Sequence, residues 1–524
     1  MFTKTSIKTA FVCCLLSSIF FSCKKEMDHT SAANRPTEKN TGKAPNKGTM
    51  FYALTASNEL VAYISGNPLI ERSSMSITGL QVDEKILAID FRPATGQLYG
   101  VSNQSRIYII NLNSGVASPL GASFAPAING TSVGLDFNPT VDRIRLVTNM
   151  GQNLRLNPET GLVVATDGNI SPSTAMVSAA AYTNSFAGAA TTTLYDIDVA
   201  TDKLYIQNPP NNGTLVEVGS LGIQADGEAG FDIAADNSVA IAALYGRGYE
   251  DGQDAMSNGN KYRFYYIDLA TGVATNAGKT DRQIIGVAIP TMPVAYAVDN
   301  SNRLLIMNPS TGTVVTKNIT GIDAGDMIVG IDMRPVSAQL YALGANSRLY
   351  TINLATGAAA AVGASAFATP LNGTSFGFDF NPTVDRIRVV SNTGQNLRLH
   401  PVTGGVAAVD PNLNPGTPSV DAVAYINSFI GSTTTILYDI DASTDMLYQQ
   451  NPANAGTLIN GKSLGINIDA DNGFDIGGTS NKAWGVFKVG AQTGLYNVDL
   501  ATGQATYMMA VPYNVKGFAV GLGF

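Results

Sequence analysis

Six aspartates stand in apolar, strand-like runs, where a carboxylate is costly to place. They are Asp90 in LAIDF, Asp136 in GLDF and Asp232 in GFDI, then Asp332 in GIDM, Asp379 in GFDF and Asp475 in GFDI. Three such carboxylates brought together could hold a cation. A pair could drive glycoside hydrolysis, one protonating the leaving oxygen and the other acting as base or nucleophile. The usual general acid of that reaction is a Glu, and no Glu stands at an equivalent place. The other reading is structural: a buried carboxylate must find hydrogen-bond donors, and a neighbouring backbone supplies them.

Two further patterns could bind ions. Asp196, Asp198 and Asp202 lie in DIDVATD, echoed by Asp439, Asp441 and Asp445. Alternating acidic residues suit a calcium loop, but the glycine and distal Glu of an EF-hand are missing, and Asp is also a common turn residue. Arg143 and Arg145 alternate on one strand with Arg155 on the next, and Arg386, Arg388 and Arg398 repeat the arrangement. One face of such strands could hold an anion or a sugar carboxylate; pairing with Asp142 or an adjacent sheet is the plainer expectation.

Other chemistries are poorly served. The only histidines are His29 and His400, too few for a Ser-His-Asp triad or a multi-His zinc site. No glycine-rich phosphate loop opens a helix. Trp484 is the only tryptophan, so sugar stacking would fall to the 21 tyrosines. With a formal net charge of -8 and no basic stripe, nucleic acid is not an expected partner. No cofactor is expected.

The elements that must position these residues are short strands. The chain is 45% hydrophobic and 14% charged, with 53 glycines, which favours strands and turns over long helices. Asn129 to Asn157 and Asn372 to His400 agree at 23 of 29 positions, by direct count, at an offset of 243. The same offset relates LYDID at Leu194 and Leu437, and GFDI at Gly230 and Gly473. The mature chain is therefore two copies of one unit, 50–290 and 291–524, the first with an extra loop around Arg247 to Asn260. Within each copy an Asn/Asp-x-x-Thr/Ser-Gly turn recurs, for instance at Asn111, Asn157, Asn308, Asn353 and Asp499. Asn or Asp there bonds its own backbone two residues on, and Gly supplies a positive φ.

One period reads as four strands, as in Leu87 to Phe91, Leu98 to Val101, Arg106 to Ile110 and Val116 to Leu120. Four-stranded sheets recurring every 40 to 50 residues or so predict a β-propeller. Each copy yields four complete blades and a fifth that is split, its innermost strand closing the copy. The expected fold is all-β, two tandem five-bladed propellers, with one ten-bladed ring as the alternative. The six aspartates would then line the central channels.

The chain resembles a bacterial family known only as domain of unknown function 4394. The motifs that carry the resemblance are LAIDFRPATGQLYG at Leu87, FNPTVDRIR at Phe137 and Phe380, GQNLRLNP at Gly151, TTTLYDID at Thr191 and GFDI at Gly230. The resemblance spans nearly all of 50–524 and implies export, but brings no activity with it.

The N-terminus reads as an address. Lys4 and Lys8 precede a short apolar run that ends in Phe20-Phe21-Ser22-Cys23. This resembles a bacterial lipoprotein signal peptide, 1–22, with Cys23 acylated and 23–49 as a flexible tether. Cys13 and Cys14 would leave with the signal, so the fold must do without disulfides. The expectation is a cell-envelope lipoprotein, membrane-anchored by its N-terminal lipid and sorted to an outer membrane. It would bind a glycan or envelope protein through propeller-face loops without catalysis. The alternative is a glycosidase-like or cation-dependent hydrolase using the channel aspartates.

Overall fold

The computed structural model describes residues 48–247 and 261–524. The predicted signal segment, Cys23, most of the tether and residues 248–260 of the extra loop lie outside them. Among the described residues there is no α-helix. Two single 3-10 turns occur, at Pro210–Asn212 and Ala453–Ala455. Among the described residues no helix is long and apolar enough to cross a membrane.

The fold is all-β, with ten four-stranded antiparallel sheets among the described residues. Four sheets of the first copy begin at Ile86–Phe91, Val133–Asn138, Val177–Tyr182 and Gln224–Ile233, and each continues from that strand in chain order. The fifth joins the two ends of the copy: Ile284–Ala288 pairs with Met50–Thr55, followed by Glu59–Ile64 and Ser73–Ser76. The second copy repeats this with Ile328–Arg334, Phe376–Asn381, Val420–Tyr425 and Gly473–Ile476 as first strands. Its last strand, Val515–Val520, pairs with Ala295–Asp299.

Turn chemistry explains the hairpins. In the turn at Asn111, the Asn113 amide donates to Asn111 Oδ1 at 2.8 Å, and the Gly115 amide donates to the Asn111 carbonyl at 2.8 Å. Gly115 holds φ 73°, a conformation a side chain would strain. The same side-chain bond recurs at Asn157, Asn308, Asn353 and Asp499. Apolar residues of adjacent sheets then interdigitate: Tyr99, Val101 and Ile107 of one sheet pack with Leu135, Phe137 and Ile144 of the next.

First strands pack on one another in order. In the first copy Ile86–Phe91 packs on Val133–Asn138, that on Val177–Tyr182, and so on to Ile284–Ala288, which packs back on Ile86–Phe91. The second copy has its own such series, in which Val515–Val520 packs on Ile328–Arg334. The copies also touch each other. Ala94 joins a core with Val294, Tyr296 and Leu340, and the Tyr296 hydroxyl donates to the Ala94 carbonyl at 2.9 Å.

Candidate functional site

Strand register decides where the chemistry-bearing residues go. Asp136 lies opposite Arg145, which lies opposite Arg155; Asp379, Arg388 and Arg398 form the same row. Paired residues share a face, so each row runs from the first strand outward on the side turned to the next sheet.

The aspartates do converge. Oxygens of Asp90, Asp136 and Asp232 lie within 4.8 Å of one another, as do those of Asp332, Asp379 and Asp475, and all six residues are buried. Five of the six have oxygens drawn into backbone bonds that tie first strand to first strand, whereas Asp136 keeps a buried Oδ1 without a hydrogen-bond partner. Asp90 accepts from the Phe91 amide at 2.7 Å and the Phe137 amide at 2.8 Å. Asp232 accepts from Ile233 at 2.6 Å and Ile289 at 2.5 Å. In the second copy Asp332 accepts from Met333 and Phe380, Asp475 from Ile476 and Val520, and Asp379 from Tyr425.

Three like charges so close cannot all ionise cheaply. Burial, then the Asp232 carboxylate, pushes Asp90 well above the carboxylate range, and burial with both neighbours does the same to Asp136. Burial pushes Asp232 and Asp475 up to about 7. Beside the first triad, Ala88, Gly134, Ala180, Gly230 and Gly286 help line an apolar throat of about 10 Å³, room for roughly one water.

The acidic repeats near Asp196 do not converge. Asp198 accepts from the Ala200 and Met176 amides, and Asp202 accepts from Ala225. In the second copy Asp441 accepts from Ser443 and Asp445 from Ile468. Asp196 and Asp439 are fully buried without a hydrogen-bond partner. Burial drives Asp196 up to about 8 and Asp439 well above its usual range, although Arg145 and Arg388 respectively oppose the rise.

The arginines form a cavity. In the second copy about 280 Å³ is enclosed by Asn381, Val384, Arg386, Arg388, Arg398, Tyr425 and Asn454. Arg388, 2% exposed, donates to Asn396 Oδ1 at 2.6 Å, Asp410 Oδ2 at 2.7 Å and Asn454 Oδ1 at 2.7 Å. Arg398 grips Asp410 with two bonds of 2.8 Å. Burial alone would raise Asp410, but the bonds from Arg398 and Arg388 hold it below the usual carboxylate range. The first copy repeats these contacts among Arg145, Arg155, Asn153, Asp167 and Asn211.

The expected pairing of Arg143 with Asp142 takes another form. Arg143 donates to the Asp142 carbonyl at 2.7 Å, while the Asp142 carboxylate is held by Arg92 of the preceding sheet at 2.9 and 2.5 Å. Sequence reasoning missed Arg92, Asp167, Asp410 and the asparagines. Asp167 recurs as Asp410, and the asparagines recur, at the offset of 243, and Arg92 recurs as Arg334 at 242, a signal that was there to read.

An all-β chain of two internally duplicated sets of sheets is the class these features define. The chain belongs to the family described as Domain of unknown function (DUF4394), which matches residues 59–288 and again 303–519. No curated protein matches it in sequence. Among solved structures it is similar to PorZ, a surface component of the type-IX secretion system of Porphyromonas gingivalis, at 14% identity and TM-score 0.25. That match covers 90% of this chain, which spans 60% of the PorZ chain. The extracellular domain of the hybrid two-component system BT4673 of B. thetaiotaomicron matches at 8% identity and TM-score 0.25, covering 91% of this chain and 74% of that one.

Proposed function

We propose that the ten sheets are blades of two tandem five-bladed propellers, carried on a lipid-anchored cell-envelope protein that binds its ligand without transforming it. The propeller reading is supported by the order in which first strands pack, each copy returning to its own start. A ten-bladed ring would instead require Ile284–Ala288 to pack on the second copy's Ile328–Arg334.

The observation that carries the binding reading is the contrast between triads and cavity. Most of the carboxylate oxygens that could do hydrolysis are engaged by backbone amides beside an apolar throat, whereas the arginine cavity offers hydrogen-bond donors and is lined by no carboxylate. Purified protein should retain specific glycans or envelope fractions on an array and in pull-down, and leave them intact. Hydrolysis of a defined substrate, lost in D136N or D379N variants that still fold, would overturn the reading in favour of the hydrolase.

The anchor rests on Cys23 and the lysines that follow it. Several acyl chains together give stable attachment where one would not. Replacing Cys23 with Ala should end labelling by a palmitate analogue and release the protein from membranes; unchanged labelling would refute the anchor.

A further inference from the structure

We propose that the cavity between Arg386, Arg388 and Arg398 binds the acid group of a small anionic ligand, a sugar acid or a sugar phosphate. The proposal deepens the binding reading above, on which its biological use rests.

The charge balance is the first argument. Three guanidinium groups line the cavity, and Asp410 is the only carboxylate in ion-pair contact with any of them among the described residues. Three positive charges against one negative leave an excess of two, in a chain whose formal net charge is -8. The other acids nearby do not cancel it. Asp385 is spent on Arg334, and buried Asp439 is pushed toward its neutral form.

The second argument is unused donor capacity. Arg386 bonds only main-chain carbonyls, those of Asp385 at 2.8 Å and Val384 at 3.4 Å. Arg388 is nearly spent, since the Tyr425 hydroxyl adds to its bonds with Asn396, Asp410 and Asn454, so the free donor edge is that of Arg386. Guanidinium edges with free N–H groups match the paired oxygens of carboxylate or phosphate. A cavity of about 280 Å³ falls just below the usual range for small-molecule pockets, roughly 300–1,000 Å³, so the ligand should be small.

The third argument comes from duplication. The first copy keeps Asn138, Arg143, Arg145, Arg155, Tyr182 and Asn211, but places Glu159 where the second has Val402. Burial pushes Glu159 up, and Arg92 and then Arg143 oppose the rise, so a carboxylate already stands within charge range of Arg143. Val402 is 64% exposed and answers nothing. The second copy is therefore the one assigned the ligand.

The test is calorimetric titration of the purified full chain with glucuronate, glucose 6-phosphate and glucose. At least one acidic sugar should bind ten-fold or more tighter than glucose, and added salt should weaken it; which of the two binds identifies the oxyanion. R386A, which removes two local bonds to main-chain carbonyls and none to another side chain, should lower that affinity at least ten-fold. V402E, on an exposed position, should lower it several-fold, and R143A should leave it within two-fold. Equal affinity for glucose, binding of none of the three, or loss with R143A instead of R386A would overturn the site. An array ligand that binds R386A as well as the parent overturns the site while leaving the binding reading intact. Turnover of a probe would overturn the binding reading instead.

Discussion

The two copies carry nearly the same charged framework and differ in what covers it. In the first, Arg92 and Asp142 form an ion pair whose side chains are 0% and 10% exposed. Arg92 also donates to the Ala338 carbonyl of the second copy at 3.0 Å, and Gln339 of that copy donates to Glu159 at 3.1 Å. In the second copy the equivalent pair is Arg334 with Asp385, whose side chain is 29% exposed. One copy's ion pair has become part of the joint between copies, and the other's has stayed at the surface beside the arginine cavity. Duplication supplied two equal frameworks; contact between them made one structural and left the other free.

That difference should be largest in stability. Asp142 and Asp385 both sit at positive φ, 49° and 51°, which Asn tolerates, so D142N and D385N keep the backbone equally well. D142N strips the nearer counter-charge from a fully buried arginine, leaving Glu159 at 3.7 Å, a loss of up to roughly 3–5 kcal/mol. D385N weakens a pair open to water, worth about 1 kcal/mol or less. Chemical denaturation of the two variants measures both. Equal losses would break the comparison, and a larger loss in D385N would reverse it.

Much of this architecture was legible in the sequence because its signals are local. The turn at Asn111 announces itself through Asn, Thr or Ser, and Gly at fixed spacing, and the strand limits follow to within a residue: Leu98 to Val101 against the observed Leu98–Ser102. The split fifth sheet followed from counting strands within a period. The meeting of Asp90, Asp136 and Asp232 was expected from their equivalent places on first strands. What the sequence hid was long-range. Arg92 is 50 residues from Asp142, with nothing local to mark it as the partner. Asp410 sits in an ordinary turn sequence, and only the fold carries it under two arginines. The unequal burial of the two copies depends on a contact between them that no repeat pattern encodes.

The triads should show the smallest difference between copies, since both are buried and two of the three carboxylates in each accept the same pair of backbone amides. Their effect appears in the pH dependence. An unfolded Asp titrates near 3.8, whereas Asp232 and Asp475 titrate at about 7 in the fold, and the other four are also raised. The native state therefore holds more protons than the unfolded state between those values, and stability must fall as pH rises across them. The contribution is complete below pH 4 or so and is lost as pH climbs through about 7. D232N and D475N should each flatten the decline by a similar amount. Each should also lower stability at pH 5 by about 1–3 kcal/mol, because the new amide group faces a backbone N–H that the lost oxygen had satisfied. Denaturation midpoints across pH 4 to 8 read both effects. A flat parental profile would remove the protonated triads from the account. A profile that rises with pH, and rises further with added calcium, would mean that the carboxylates hold a cation, and the hydrolase alternative would return with it.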